Sequence, residues 1–193
     1  MNATRAYDMT SRQAAANATR ERILQAAARA FLEHWYDEVT VQGIAQGAGV
    51  SGQTVLNHFG GKEPLFAVTV ARLGDEVAAR RESTPGDVDG AIDALIDDYE
   101  VTGDAVIRAL AIEQRVEAVR PMLARGRANH RKWVEAVFER PDLVPALLVA
   151  TDVYSWMLLR RDQGLSRAET CRAMKTTVGA LLALDTEPEE TDR

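Results

Sequence analysis

The stretch Val41-Gln42-Gly43-Ile44-Ala45-Gln46-Gly47-Ala48-Gly49-Val50-Ser51-Gly52-Gln53-Thr54-Val55-Leu56-Asn57-His58-Phe59 decides the fold. It reads as two short helices with a tight turn between them. Thr40 is a suitable N-cap for the first, and Ile44, Ala45 and Ala48 recur at helical spacing to form its buried face. Gly49 falls where the chain must reverse, and glycine tolerates the left-handed backbone such a turn needs. Ser51 offers a hydroxyl to cap the second helix, whose Val55 and Phe59 at i and i+4 point inward. This is the pattern of a helix-turn-helix, in which the second helix enters a DNA major groove.

The flanking residues sharpen the pattern. An amphipathic helix over Arg20-Glu21-Arg22-Ile23-Leu24-Gln25-Ala26-Ala27-Ala28-Arg29-Ala30-Phe31 leads into Val39-Thr40-Val41, and Thr54, His58-Phe59 and Lys62-Glu63-Pro64-Leu65 close the motif. In this order and spacing, residues 19–65 resemble the DNA-binding domain of TetR-family transcriptional repressors. The resemblance implies an all-α protein of about nine helices. Its expected organisation is an N-terminal arm over 1–18, a DNA-binding domain over 19–65, a ligand-binding and dimerisation domain over 66–185, and a tail over 186–193.

Composition permits this reading. Hydrophobic residues make up 46% of the 193 positions, enough for a sizeable core in one or two helical units. We count no apolar run approaching the ~20 residues of a membrane span. Residues 1–18 lack the apolar centre of a secretory signal. A single cysteine, Cys171, excludes an intramolecular disulfide and points to a reducing cytoplasm. Cys171 itself reads as a small buried hydrophobe rather than a redox sensor, because no second cysteine could resolve an oxidised thiol.

The net charge of −6 is unevenly placed. Residues 1–81 hold nine Lys/Arg against eight Asp/Glu, and residues 82–193 hold fourteen against twenty-one. The first part is therefore near neutral. It suits a protein that touches phosphates at chosen points rather than one that coats DNA through a broad basic surface.

Turn formers over residues 82–87 interrupt two helical patterns. Upstream, Pro64 suits the first turn of a helix reaching about Arg81. Downstream the periodicity predicts five helices near 88–101, 104–117, 119–139, 142–162 and 166–184. Ser166 and Glu169 form a capping-box pattern for the last. Strand signals and internal repeats are missing from the sequence, and the two ends read as frayed.

The resemblance assigns roles residue by residue. Thr54, His58 and Lys62 match positions that bind backbone phosphate in the family, and each carries a donor for a phosphate oxygen. Thr40 stands at a helix N-terminus, where backbone N–H groups also favour an anion. Base reading falls to Gln53 and Asn57, whose amides can pair bidentately with adenine. Leu56 stands where the family usually has tyrosine, and could meet a thymine methyl. Gly52 offers no side chain where many relatives have a base reader. Arg5 and Arg12 of the arm either enter the minor groove or belong to a tail without function.

In the C-terminal part, Tyr99, Met122, Trp133, Phe138, Tyr154, Trp156 and Met157 could line an amphipathic pocket for a small effector, or fill an ordinary core. Asp152 reads as a carboxylate in mid-helix that needs a partner, either an arginine or a ligand. Apolar residues surround the 142–162 helix on most sides, so one side can face the core and the other a second subunit, the alternative being an ordinary buried hairpin in a monomer. The expected dimer face comprises Leu148, Leu159, Ala173, Thr177, Ala180 and Leu181. Arg125, Arg127, Arg131 and Lys132 around His130 form either a solvated face or a site for an acidic partner.

Enzymatic readings find little support. His34, His58 and His130 are far apart, without metal-ligand spacing. The chain carries no nucleophile motif, phosphate loop or dinucleotide glycine pattern, and Asp97-Asp98-Glu100 reads as a plain acidic helix stretch. We expect no cofactor. The implied partners are operator DNA with an inverted repeat, a second copy of the chain and an unidentified small effector. A dimeric helical scaffold without DNA binding is the remaining rival, sustained by Gly52 and Leu56.

Overall fold

The computed structural model describes residues 3–184. Every regular element among them is helical: α1 (Ala3–Glu33), α2 (Val41–Ala48), α3 (Gly52–Phe59), α4 (Lys62–Arg80), α5 (Val88–Ile112), α6 (Arg120–Phe138), α7 (Val144–Thr151), α8 (Val153–Met157) and α9 (Arg167–Leu182). Single 3-10 turns at Glu117–Val119 and Pro141–Leu143, and a π turn at Leu158–Asp162, join some of them. The chain forms two compact units. One holds Met1–Asp75 with Ile112–Met122, and the other holds Glu76–Ala111 with Leu123–Arg193. The division falls inside α4, past the end of the 19–65 match.

In the N-terminal unit, Ile23, Leu24, Ala26, Ala27 and Phe31 of α1 are buried with Ile44, Ala45 and Ala48 of α2 and Val55 and Phe59 of α3. Burying each of the larger side chains stabilises by about 1.5–3 kcal/mol. Phe31 and Tyr36 both meet the ring of Phe66 edge-on at 4.9 Å. The helix expected to begin at Arg20 starts instead at Ala3. Residues 12–18 are exposed. Their run Arg-Gln-Ala-Ala-Ala-Asn-Ala is rich in the strongest helix former, and an exposed segment can follow propensity alone. The expected flexible arm is thus replaced by helix from Ala3 onward. The Arg5 side chain and residues 185–193 lie outside the described residues.

The C-terminal unit is built on a core that includes Ile92, Leu95, Ile96, Tyr99, Val134, Phe138, Leu147, Trp156, Met174 and Val178. Two expected boundaries here are corrected. The helices predicted over 88–101 and 104–117 are one, because Thr102 and Gly103 do not break it. Thr102 is buried and returns its hydroxyl to the carbonyl of Asp98 at 2.9 Å, and the Trp156 ring covers Gly103. The single helix predicted over 142–162 is broken at Asp152, whose backbone is extended (φ −67, ψ 153). Its carboxylate caps α8 by accepting the Tyr154 N–H at 2.9 Å. Asp152 therefore needs neither an arginine nor a ligand; a carboxylate at an N-cap satisfies an orphan donor.

Pro141–Asp162 is long and apolar enough by composition to cross a membrane, where our count found no such run. In the fold its apolar residues Val144, Leu147, Ala150, Val153 and Trp156 are spent on the core of the C-terminal unit.

Candidate nucleic-acid interface

Local chemistry fixes the two motif helices. The Thr40 hydroxyl accepts the Gly43 N–H at 3.0 Å and starts α2. Gly49 ends it in the left-handed conformation (φ 66), with its N–H directed at the carbonyls of Ala45 and Gln46. Ser51 then starts α3 by accepting the Thr54 N–H at 3.1 Å, and the two hydroxyls share a further bond of 2.8 Å. Gly60 (φ 82) closes α3. Both αL positions would strain any residue with a β-carbon.

With Val55 and Phe59 turned inward, α3 presents Gln53, Leu56 and Asn57 to solvent, and Leu56 is 40% exposed. Gln53 donates its Nε2 to Asn57 Oδ1 at 2.9 Å, so the two amides are held as a pair. Thr54 and His58 are half-buried, and the His58 ring lies 6.2 Å from that of Phe59. The Arg20 guanidinium covers Phe59 from the α1 side, 5.1 Å from the ring centre. The sequence reading had not singled out this contact.

Lys62 opens α4 with its ammonium 4.2 Å from the centre of the Tyr36 ring. Burial there lowers its pKa below the ordinary lysine value, while the nearby carboxylates of Asp37 and Glu63 oppose the shift. Asp37 is in turn bridged to Arg115 at 2.9 Å. Lys62 is thus a half-buried cation packed on an aromatic ring. The structure brings Gln53, Thr54, Leu56, Asn57 and His58 onto one short helix, with Thr40 capping the helix before it and Lys62 opening the helix after it.

Of the residues expected to line an effector pocket, Tyr99, Phe138 and Trp156 belong to the core of the C-terminal unit, and Trp133 packs against it. Met122 belongs to the N-terminal unit, and Tyr154 is exposed. Met157 is half-buried against the core of the C-terminal unit. Tyr99 is buried with its hydroxyl donated to the Thr151 carbonyl at 3.0 Å, and burial raises its pKa to about 12. The Trp133 indole donates to the Arg81 carbonyl at 3.1 Å, and its ring meets Phe138 edge-on. Trp156 donates to Glu100 Oε1 at 3.0 Å. Both indoles thus have the partners that buried N–H groups require, and those partners are protein.

Two polar segments also differ from the sequence reading. The stretch 97–100 is no plain acidic surface. Asp98 is fully buried and receives Arg80 on Oδ1 at 2.7 Å and Arg81 on Oδ2 at 2.6 Å. Glu100 holds both Trp156 and Arg160. The basic segment of α6 divides. Arg131 and Lys132 are exposed, and Arg131 pairs with Glu135 at 2.9 Å. His130 turns inward, within 3.1 Å of the Thr151 hydroxyl and stacked on Trp133. Burial, and secondarily the Arg81 charge, push its pKa down to about 4. Cys171 is buried and donates to Asp93 at 2.8 Å. Burial first, then Asp93, pushes its thiol up to about 11.

Of the residues expected at a dimer face, Thr177 and Ala180 are exposed, and Ala173, Leu148, Leu159 and Leu181 are half-buried. Val149, Tyr154, Leu158 and Leu184 are large apolar residues with half or more of their surface exposed.

Residues 23–69 match the family described as bacterial regulatory proteins, tetR family. The chain is 39% identical over 66 residues to the HTH-type transcriptional repressor AcnR of Corynebacterium efficiens, covering 34% of this chain and 33% of that one. It is 35% identical over 101 residues to the HTH-type transcriptional regulator BetI 2 of Chromohalobacter salexigens, covering 48% and 49%. The matches thus span a third to a half of the length of these curated relatives. A solved chain assigned to the TetR-family regulators, from Rhodococcus sp., superposes with a TM-score of 0.67 at 18% identity, over 86% of this chain and 100% of that one. At that identity the likeness speaks for the fold, which extends well past the matched domain. Over residues 23–69 the helix-turn-helix unit of this chain is thus similar to the tetR family of bacterial regulatory proteins.

Proposed function

We propose that the protein is a dimeric transcriptional repressor that binds an inverted-repeat operator in the cytoplasm and is released by a small effector acting on its C-terminal unit. The observation that carries this reading is the surface of α3. Its apolar residues are consumed by the core, and its outward residues are amides, a hydroxyl, an imidazole and one leucine. In this reading Gln53 and Asn57 read bases, Leu56 meets a thymine methyl, and Thr40, Thr54, His58 and Lys62 hold phosphates.

The exposed apolar residues Val149, Tyr154 and Leu158, with the outer side of α9, support pairing of two copies. Two reading helices then address half-sites about 34–36 Å apart, and linkage raises affinity without new contacts. The buried Arg81–Asp98–His130 cluster supports the C-terminal unit as the place of effector action, because polar groups inside a helical core offer a ligand something to exchange. We propose that α4, which has residues in both units, carries the response. Such coupling is reciprocal: operator DNA weakens effector binding by the same factor.

The test is selection of duplexes from a random-sequence pool with the full-length protein. The expected result is an enriched inverted repeat retained at physiological salt. Enrichment of no sequence would sink the reading in favour of a scaffold.

A further inference from the structure

Gly52 is the first residue of α3, yet its backbone does not call for glycine. The positive-φ glycines among the described residues are Gly49, Gly60, Gly86 and Gly164. Glycine inside a helix also weakens it relative to alanine. What a β-carbon at 52 would meet is the side chain of Gln42: it would stand 2.7 Å from Oε1 and 3.9 Å from Cδ, with no other neighbour within 4 Å outside its own helix and flanking residues. Gln42 is an exposed residue in the first turn of α2. Its carboxamide therefore crosses from α2 to the start of α3 and occupies the space that a side chain at 52 would fill.

We propose that Gln42 is a base-reading residue of this protein, delivered by α2 into the place left open by Gly52. The inference rests on the DNA-binding reading above. The N-terminal turn of a recognition helix is the part that meets base edges, and a free carboxamide there can pair bidentately with adenine N6 and N7. Glycine at 52 and glutamine at 42 act as a unit: the one supplies space and the other supplies the donor and acceptor. Gln53 lies next to this point in sequence and is tied to Asn57 by its own hydrogen bond, so Gln42 adds a third amide to the reading surface.

The experiment is duplex selection from a random pool with wild type, Gln42→Ala, Gly52→Ala and the double variant, followed by affinities on single-base operator variants across a salt series. Gln42→Ala should lose discrimination at one position in each half-site by about 5- to 150-fold, with the other positions unchanged. Gly52→Ala should blur the same position, because its methyl displaces the carboxamide. The double variant should match Gln42→Ala alone. Selection of the wild-type consensus by Gln42→Ala would overturn the proposal. So would a uniform loss on all sequences with a shallower salt dependence, which would make Gln42 a phosphate contact. If wild type enriches nothing, both the DNA-binding reading and this proposal fail. If wild type enriches a consensus that Gln42→Ala leaves unchanged, only this proposal fails.

Discussion

The indole of Trp156 lies directly on the backbone of Gly103. A β-carbon built on Gly103 would fall 2.7 Å from Cη2 of that ring and closer still to Cζ3. Trp156 is fully buried, so the ring has no free side to retreat to. Its N–H is held by Glu100, and the Arg161 guanidinium covers it at 4.6 Å from the ring centre. Glu100 in turn receives Arg160 at 2.7 Å, and Arg161 pairs with Asp104 at 2.9 Å. The π turn at Leu158–Asp162 carries both arginines to α5. Gly103→Ala should therefore destabilise the protein by about 1–3 kcal/mol through overpacking. Thermal unfolding followed by circular dichroism reads this, and a Tm equal to wild type would mean that the ring can shift freely.

The Lys62 ammonium rests on the Tyr36 ring. Lys62→Ala should weaken binding to every DNA sequence alike. The slope of log affinity against log salt should fall by about one charge equivalent. An unchanged slope would remove Lys62 from the interface.

Asn57 and Gln53 are hydrogen-bonded to each other, so their contributions are coupled. Asn57→Ala should cost about 1–3 kcal/mol on the selected operator and leave nonspecific binding nearly intact. The double variant Gln53→Ala/Asn57→Ala should lose less than the sum of the two single losses. Equal losses on operator and nonspecific DNA would make Asn57 a positioning residue.

The proposed dimer is tested at α9. Ala180→Glu would place two like charges near the dyad of a symmetric interface, each an unpaired carboxylate under burial. The pair should dissociate, and operator affinity should collapse with it. Light scattering of wild type decides the premise: a stable monomer of 21.2 kDa at micromolar concentration would refute the paired architecture.

His130 makes stability depend on pH. Its folded pKa is about 4 against an ordinary 6.5. Between these values the unfolded chain binds a proton that the folded one does not. Stability is therefore complete above pH 6.5 and is lost as pH falls toward 4, by at most about 3 kcal/mol. The Arg81 guanidinium faces the ring and adds to the penalty, while Thr151 offers only a hydroxyl. His130→Gln should flatten the pH dependence of denaturant unfolding across this window. A variant with the wild-type slope would assign the effect to another group.

The helix-turn-helix was legible in sequence because its signals are local. Thr40, Gly49 and Ser51 act within a turn of where they stand, and the buried pattern Ile44, Ala45, Ala48, Val55, Phe59 follows helical period. Ser166 and Glu169 form their capping box for the same reason. The failures lay where distant residues decide. The expected division between 101 and 104 is closed where Trp156, far along the chain, covers Gly103. Asp152 looked like a buried charge because an apolar sequence on both sides hides a break. Asp98 looked like surface until Arg80 and Arg81 closed on it, and Gln42 carried no signal apart from its approach to Gly52. Local backbone chemistry is written in neighbouring residues, so the sequence determined the motif. Which side chains share a buried partner depends on packing across the chain, and only the tertiary structure decided that.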